Sequence, residues 1–128
     1  TWSTAGQLTT ICGDFMTIDG ADLVGFDHFY DRAALIALPP TLRTTYVSCL
    51  KRMLNKGASG LLITLDYDQT KIDGPPFSIG IDEVSRRFEP EFDIEILSSK
   101  VSEQAPESFK LQGVMTLTEH VLKISSRS

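Results

Sequence analysis

Residues 60–67 read GLLITLDY, an apolar run that turns polar only at its end. A strand with one wet face alternates apolar and polar residues. A run without that alternation reads as a strand covered on both faces, and such strands belong to parallel sheets. Parallel strands need long crossovers, usually helices, and the flanks of this run offer them. From Thr41 the apolar residues Leu42, Tyr46, Val47, Leu50, Met53 and Leu54 fall at helical spacing, with Gly57 as a stop. Downstream, 82–88 reads as a short helix, with Asp82 suited to its N-terminal end and Pro90 just past its C-terminal end.

The remaining segments fit the same pattern. Residues 8–12 (LTTIC) predict a strand before a turn at Gly13-Asp14. Residues 26–30 (FDHFY) predict a second strand, with Phe26, His28 and Tyr30 on one face and Phe29 on the other. Helix propensity rises over 33–38 and is broken by Pro39-Pro40. Residues 68–79 form a long loop, 92–97 (FDIEIL) alternate as a strand, 98–112 are polar and irregular, and 114–124 close the chain as a strand. The expected order is β, β, α, β, α, β, β. It predicts one α/β domain over residues 1–128, with a mostly parallel sheet, helices on both faces and room for an antiparallel last pair.

Composition removes several function classes. With 41% hydrophobic and 23% charged residues, the chain is an ordinary globular protein with one core. Its net charge of -5 and its two short basic pairs, Lys51-Arg52 and Arg86-Arg87, argue against a nucleic-acid partner. No apolar run nears the ~18 residues of a membrane span, and no basic-then-apolar leader precedes the first strand. Cys12 and Cys49 do not make a disulfide framework and read as free thiols. The expectation is a cytoplasmic protein. The chain opens TWSTAGQ without an initiator Met, which reads as a processed or truncated piece.

Ligands of open α/β sheets bind beyond the carboxyl ends of the strands. Three segments fall there: Cys12-Gly13-Asp14, Asp31-Arg32, and the loop from Asp66 to Phe77. For Asp31-Arg32 the plainer interpretation, slightly favoured on these residues alone, is a helix cap and an ion pair; the alternative has Arg32 forking onto a ligand carboxylate. Gly13-Asp14 is first a tight turn and second a ligand-lining one. Asp66, Asp68 and Asp73 lack the order of a calcium loop. Gly74-Pro75-Pro76-Phe77 is stiff and apolar, either a rigid loop or a planar wall beside a ligand. His28 and His120 read as structural histidines without zinc-site spacing. Neither cysteine has an evident base, Ser59 in GASGLL lacks the nucleophile-elbow order, and no glycine-rich phosphate loop is present.

Several motifs together resemble a known family. YDRAALIALPP, SGLLITLDYDQTK and DGPPFSI, preceded by CGDF and followed by TEHVLKI, are similar in order and spacing to the C-terminal part of bacterial thiopurine S-methyltransferases. The resemblance spans nearly the whole chain and is densest over 26–79. It implies a class I, Rossmann-like methyltransferase fold, S-adenosylmethionine as cofactor, and methyl transfer to the sulfur of thiopurines or related aromatic thiols. Bacterial relatives are also associated with selenium and tellurium methylation and tellurite resistance. By position, Gly13 and Asp14 would line the cofactor's adenine, and Arg32 would stand where cofactor and substrate meet. Pro75 and Pro76 would form part of the substrate wall, and Asp31 would shape the turn presenting Arg32. No metal and no acid–base pair are implied, because a readily ionised thiol mainly needs positioning.

The family's glycine-containing cofactor loop and ribose-binding acid have no counterpart here, and no arginine in EQAPESFKLQ matches the one family members place near the substrate. The chain thus reads as starting near the family's fourth strand, with the 8–12 strand left as an open sheet edge that would invite self-association. The competing interpretations are a non-catalytic α/β fragment or interaction module, and a flavodoxin-like nucleotide binder, which the missing phosphate loop disfavours.

Overall fold

A computed structural model describes residues 2–17 and 23–127. A hairpin of β1 (Trp2–Ala5) and β2 (Leu8–Ile11) precedes β3 (Phe26–Asp31), a 3-10 turn at Leu35–Ala37 and helix α1 (Pro40–Met53). Strand β4 (Leu54–Asp66), helix α2 (Ile81–Phe88), strand β5 (Phe92–Ser102), the one-turn helix α3 (Glu107–Lys110) and strand β6 (Leu117–Ser126) follow. The main sheet has the order β3-β4-β6-β5. β3 runs parallel to β4, while β6 is antiparallel to both β4 and β5. Three strands therefore share one direction and only β6 opposes them, giving a mixed α/β sheet with one parallel and two antiparallel pairings, the last pair β5–β6 among the latter.

The helices follow local chemistry. α1 starts with Pro40, whose fixed φ suits a first helical position and whose missing N–H costs nothing there. Lys51 and Arg52 sit in its last turn, where the carbonyl end of the helix dipole favours cations. α2 carries Asp82 and Glu83 in its first turn and Arg86 and Arg87 in its last, complementing both ends. One face of each helix meets the sheet: Tyr46, Val47 and Leu50 of α1, with Val84 and Phe88 of α2, close over Leu62, Leu122, Ile124 and Phe92. Leu62 and Leu122 are cross-strand partners and both fully buried, so truncating either to Ala would cost about 2–5 kcal/mol.

Four expectations need correction. Residues 8–11 are not a member of the main sheet: β2 pairs with β1 in a separate two-stranded sheet, and the open edge beside β4 belongs to β3. The apolar run of β4 is buried on one face and only partly covered on the other. Ala58, Gly60, Leu62 and Thr64 are buried, while Leu61 on the other face is 39% exposed. Helix α1 ends at Met53 rather than near Gly57, because Leu54 is already extended and begins β4. The polar stretch 98–112 is not irregular throughout, since β5 continues to Ser102 and α3 follows. Phe109 of α3 packs with Tyr67, Ile72, Ala105 and Val114 in a small second core under the loop after β4. Among the described residues no helix is long and apolar enough to cross a membrane.

Candidate functional site

The Asp31 side chain turns back into the protein. It is 4% exposed, and its carboxylate accepts the N–H groups of Ala34 (2.9 Å) and Leu35 (3.2 Å) and the Tyr46 hydroxyl (2.5 Å). These bonds close the turn that follows β3. Burial first, and the Asp31 carboxylate second, push the Tyr46 hydroxyl well above the usual phenol range, so it remains a donor. Arg32, the next residue, points the other way. It is exposed and has no hydrogen-bond or ion-pair partner among the described residues. The incidental ion pair is therefore not made: Asp31 organises the turn, and the guanidinium of Arg32 is left available at the carboxyl end of a strand.

Gly74-Pro75-Pro76-Phe77 is held to that same turn. The Phe77 N–H donates to the Ile36 carbonyl at 2.6 Å, and the Tyr67 hydroxyl donates to the Pro76 carbonyl at 2.5 Å. Gln69 adds a strap, accepting the Ser78 N–H at 2.6 Å through its side-chain oxygen. Pro75 is exposed and Pro76 half-buried, so both present ring surface at the rim. Arg43 joins the pieces, although its helical spacing alone gives it no role beyond α1. It is 4% exposed, donates to the Leu38 carbonyl (3.0 Å) and to Glu83 (2.7 Å), and lies 5.3 Å from the centre of the Phe77 ring. Burial opposes the charge on Glu83, but the hydrogen bonds from Arg87 and Arg43 prevail and hold its carboxyl below the usual range.

Gly13 lies elsewhere, on the wall of a cavity of about 680 Å³ between the 11–16 segment, β3 and α1. Phe15, Phe29, Leu38, Tyr46 and Leu50 supply much of its lining, and His28, read as structural in the sequence, also faces it. The Phe15 and Tyr46 rings meet there at a tilt, their centroids 5.2 Å apart. Asp14 is not on the cavity wall. Its carboxylate accepts the Met16 N–H at 2.9 Å and its carbonyl the Thr17 N–H at 3.0 Å, a tight turn as expected. The loop carrying Pro75 and Pro76 is thus tied at Phe77 to the Leu35–Ala37 turn that follows Arg32, and Gly13 lies across an apolar cavity from the Ala34, Ala37 and Leu38 side of that turn.

The cavity has the size and lining to admit a flat apolar ring, and Arg32, exposed and without a hydrogen bond or ion pair among the described residues, can face an anionic group. The polar partners that a ribose and an amino-acid end require are few among the described lining residues, so the fit to S-adenosylmethionine covers only its ring portion. Among the described residues no cluster could hold a metal.

Comparisons with known proteins agree with this architecture. The chain superposes on an arsenic(III) S-adenosylmethionine methyltransferase from Chlamydomonas reinhardtii with a TM-score of 0.65 at 14% identity, over 87% of this chain and 42% of that one. A 1,6-didemethyltoxoflavin-N1-methyltransferase from Burkholderia thailandensis gives 0.57 at 15% identity, over 92% and 50%. The fold is that of a class I methyltransferase fragment. The family model for thiopurine S-methyltransferase matches residues 1–127. Thiopurine S-methyltransferases of Pseudomonas fluorescens SBW25 and Nitrosomonas eutropha are 42% and 41% identical over 123 and 122 residues. Those matches cover 96% and 94% of this chain and 56% and 55% of the relatives. The chain belongs to the thiopurine S-methyltransferase family, and it spans little more than half the length of these relatives.

Proposed function

We propose that this chain forms the acceptor-side part of an S-adenosylmethionine-dependent methyltransferase acting on the sulfur of thiopurines or aromatic thiols. The observation that carries the proposal is Arg32: an exposed guanidinium at a strand's carboxyl end, without a hydrogen bond or ion pair among the described residues, on a turn fixed by a buried aspartate. The cofactor would supply an electrophilic methyl group; the work of this chain is binding and alignment. The guanidinium of Arg32 would face an anionic sulfur or a carboxylate, and Pro75 and Pro76 would offer a stiff apolar wall to an aromatic ring. Gly13 would let a flat ring approach the backbone, with Asp14 holding that turn. Thiol alkylation gains most from alignment, so the role assigned to Arg32 is positioning and not proton transfer.

A fusion of the polypeptide to the N-terminal half of a thiopurine S-methyltransferase relative, incubated with S-adenosylmethionine and a thiopurine and read by mass spectrometry, tests this. Formation of the S-methyl product, lost in Arg32→Ala, supports the proposal; a folded fusion that binds the cofactor but forms no product contradicts it. Selenium and tellurium compounds are further acceptors for the same assay. A second interpretation, a non-catalytic interaction module, draws support from the scarcity of polar groups around the cavity, and it predicts no product with any acceptor.

A further inference from the structure

A second constellation stands apart from the Arg32 rim. Ser99 of β5, His120 of β6 and Asp66 at the end of β4 lie across three adjacent strands. Ser99 Oγ is 2.8 Å from His120 Nδ1, and His120 Nε2 is 3.1 Å from Asp66 Oδ2. A carboxylate only accepts, so Asp66 holds the ring proton on Nε2 and leaves the Nδ1 lone pair for the Ser99 hydroxyl. Hydroxyl, base and orienting acid therefore stand in series. The imidazole is turned relative to the serine-protease arrangement, but either ring nitrogen can accept a proton.

The sequence builds this with one extra residue. Ile96 pairs with Leu122 and Ser98 with Val121, so Leu97 has no partner and the strand bulges. Without the bulge, Ser98 would stand opposite His120; with it, Ser99 does. Bulges of this kind re-aim side chains and recur beside active sites. Accessibility suits the roles: His120 is 7% exposed, while Ser99 is exposed and the Asp66 side chain is 45% exposed. β5 is an edge strand, so N–H groups on its free side remain available to a developing oxyanion. Directly across from His120, the fully buried Thr64 hydroxyl has no hydrogen-bond partner among the described residues, a further polar atom that packing alone leaves unexplained.

We propose that Ser99, His120 and Asp66 form a nucleophilic acyl-transfer site for small activated esters, separate from methyl transfer. Ser99 Oγ bonds to the ester carbonyl carbon as its proton passes to His120 Nδ1. The tetrahedral adduct then breaks its bond to the leaving alkoxide, which takes that proton and departs as the alcohol. Water, deprotonated by the same nitrogen, attacks the acyl-serine; the carboxylic acid leaves and Ser99 regains its proton. The net reaction is ester plus water to acid plus alcohol.

The test uses the 128-residue polypeptide and a fluorophosphonate, read by intact mass with peptide mapping. One phosphonyl adduct on Ser99 is expected, formed about 100-fold or more slowly in Asp66→Asn, with p-nitrophenyl acetate hydrolysis following the same order. Asp66→Asn changes a half-exposed side chain nearly isosterically, and circular dichroism checks its fold; Ser98→Ala should label like the unaltered chain. An unlabelled protein, an adduct on another residue, or equal labelling rates with and without Asp66 would overturn the proposal.

Discussion

The Tyr46 hydroxyl donates to Asp31 Oδ2 at 2.5 Å, and that bond ties helix α1 to the turn carrying Arg32. The same carboxylate holds the Ala34 and Leu35 N–H groups, so one buried side chain satisfies three donors. Tyr46→Phe should cost about 1.5–3 kcal/mol, the worth of one hydrogen bond to a charged group. Asp31→Ala strands all three donors and should cost about 3 kcal/mol or more. Urea titration checks both, with the midpoint moving and the slope unchanged. Equal costs for the two variants would refute the shared role.

Arg32 lies at the opposite extreme. It is exposed and has no hydrogen bond or ion pair among the described residues. Arg32→Ala should leave stability within about 0.5 kcal/mol while abolishing binding of an anionic thiol by any polypeptide of this family that carries the turn. A thermal-melt comparison beside a binding titration separates the two effects. A large stability loss would mean that Arg32 is structural.

The two outcomes trace back to adjacent residues that look alike in the sequence. Helical spacing from Thr41, the β4 run and the charges of α2 were legible because each is a local pattern that tertiary packing reinforces. The partner of β2 was not, because a four-residue strand pairs wherever a neighbour is presented, and here β1 presents it. Coverage of β4 misled for a related reason. An apolar run reports that a strand is flanked by neighbours, and β4 is, with β3 and β6 on either side, but not that both faces are layered. The Asp31–Tyr46 bond and the Arg43–Glu83 pair join residues 15 and 40 positions apart, which no local pattern encodes. The Ser99–His120 contact depends on a bulge, and a single extra residue leaves no signature beyond the broken alternation after Ile96.

Gly60 carries a prediction of its own. It pairs with Phe29 across the parallel β3–β4 ladder, and a Cβ at Gly60 would drive into the Phe29 ring. Gly60→Ala should therefore destabilise by about 1–3 kcal/mol through overpacking. In a Phe29→Leu background the added cost should shrink, since the smaller side chain vacates the contact. A double-mutant cycle in denaturant measures that coupling, and strict additivity would show the ring to be irrelevant.

Glu83 links stability to pH. Its folded carboxyl sits below the ordinary glutamate range because the bonds from Arg87 and Arg43 outweigh burial. A depressed folded value contributes stability that is present above the unfolded value and is lost as pH falls through the folded one. The acid limb of a stability–pH curve should therefore be less steep in Glu83→Gln, with the difference confined to the ordinary glutamate range and below. At neutral pH the same variant leaves the buried Arg43 without its counter-charge and should cost about 3 kcal/mol. Identical acid limbs would remove Glu83 from the account.

Cofactor affinity is the last quantity the site constrains. Among the described residues the wall around Gly13 is largely apolar, with His28, Tyr30 and the Asp31-bound Tyr46 as its ionisable groups. Such a wall can cover a flat ring, but it offers little to a ribose, a sulfonium or an amino-acid end, and each polar group buried without a partner costs about 1–3 kcal/mol. The 128-residue polypeptide should therefore bind S-adenosylmethionine weakly or not at all. Tyr46→Phe should leave that weak binding unchanged, because its hydroxyl already serves Asp31. Calorimetric titration decides the matter. Tight binding, with a dissociation constant in the low micromolar range or below, would mean that residues outside the described wall supply the polar contacts, and it would move the proposed site away from Gly13.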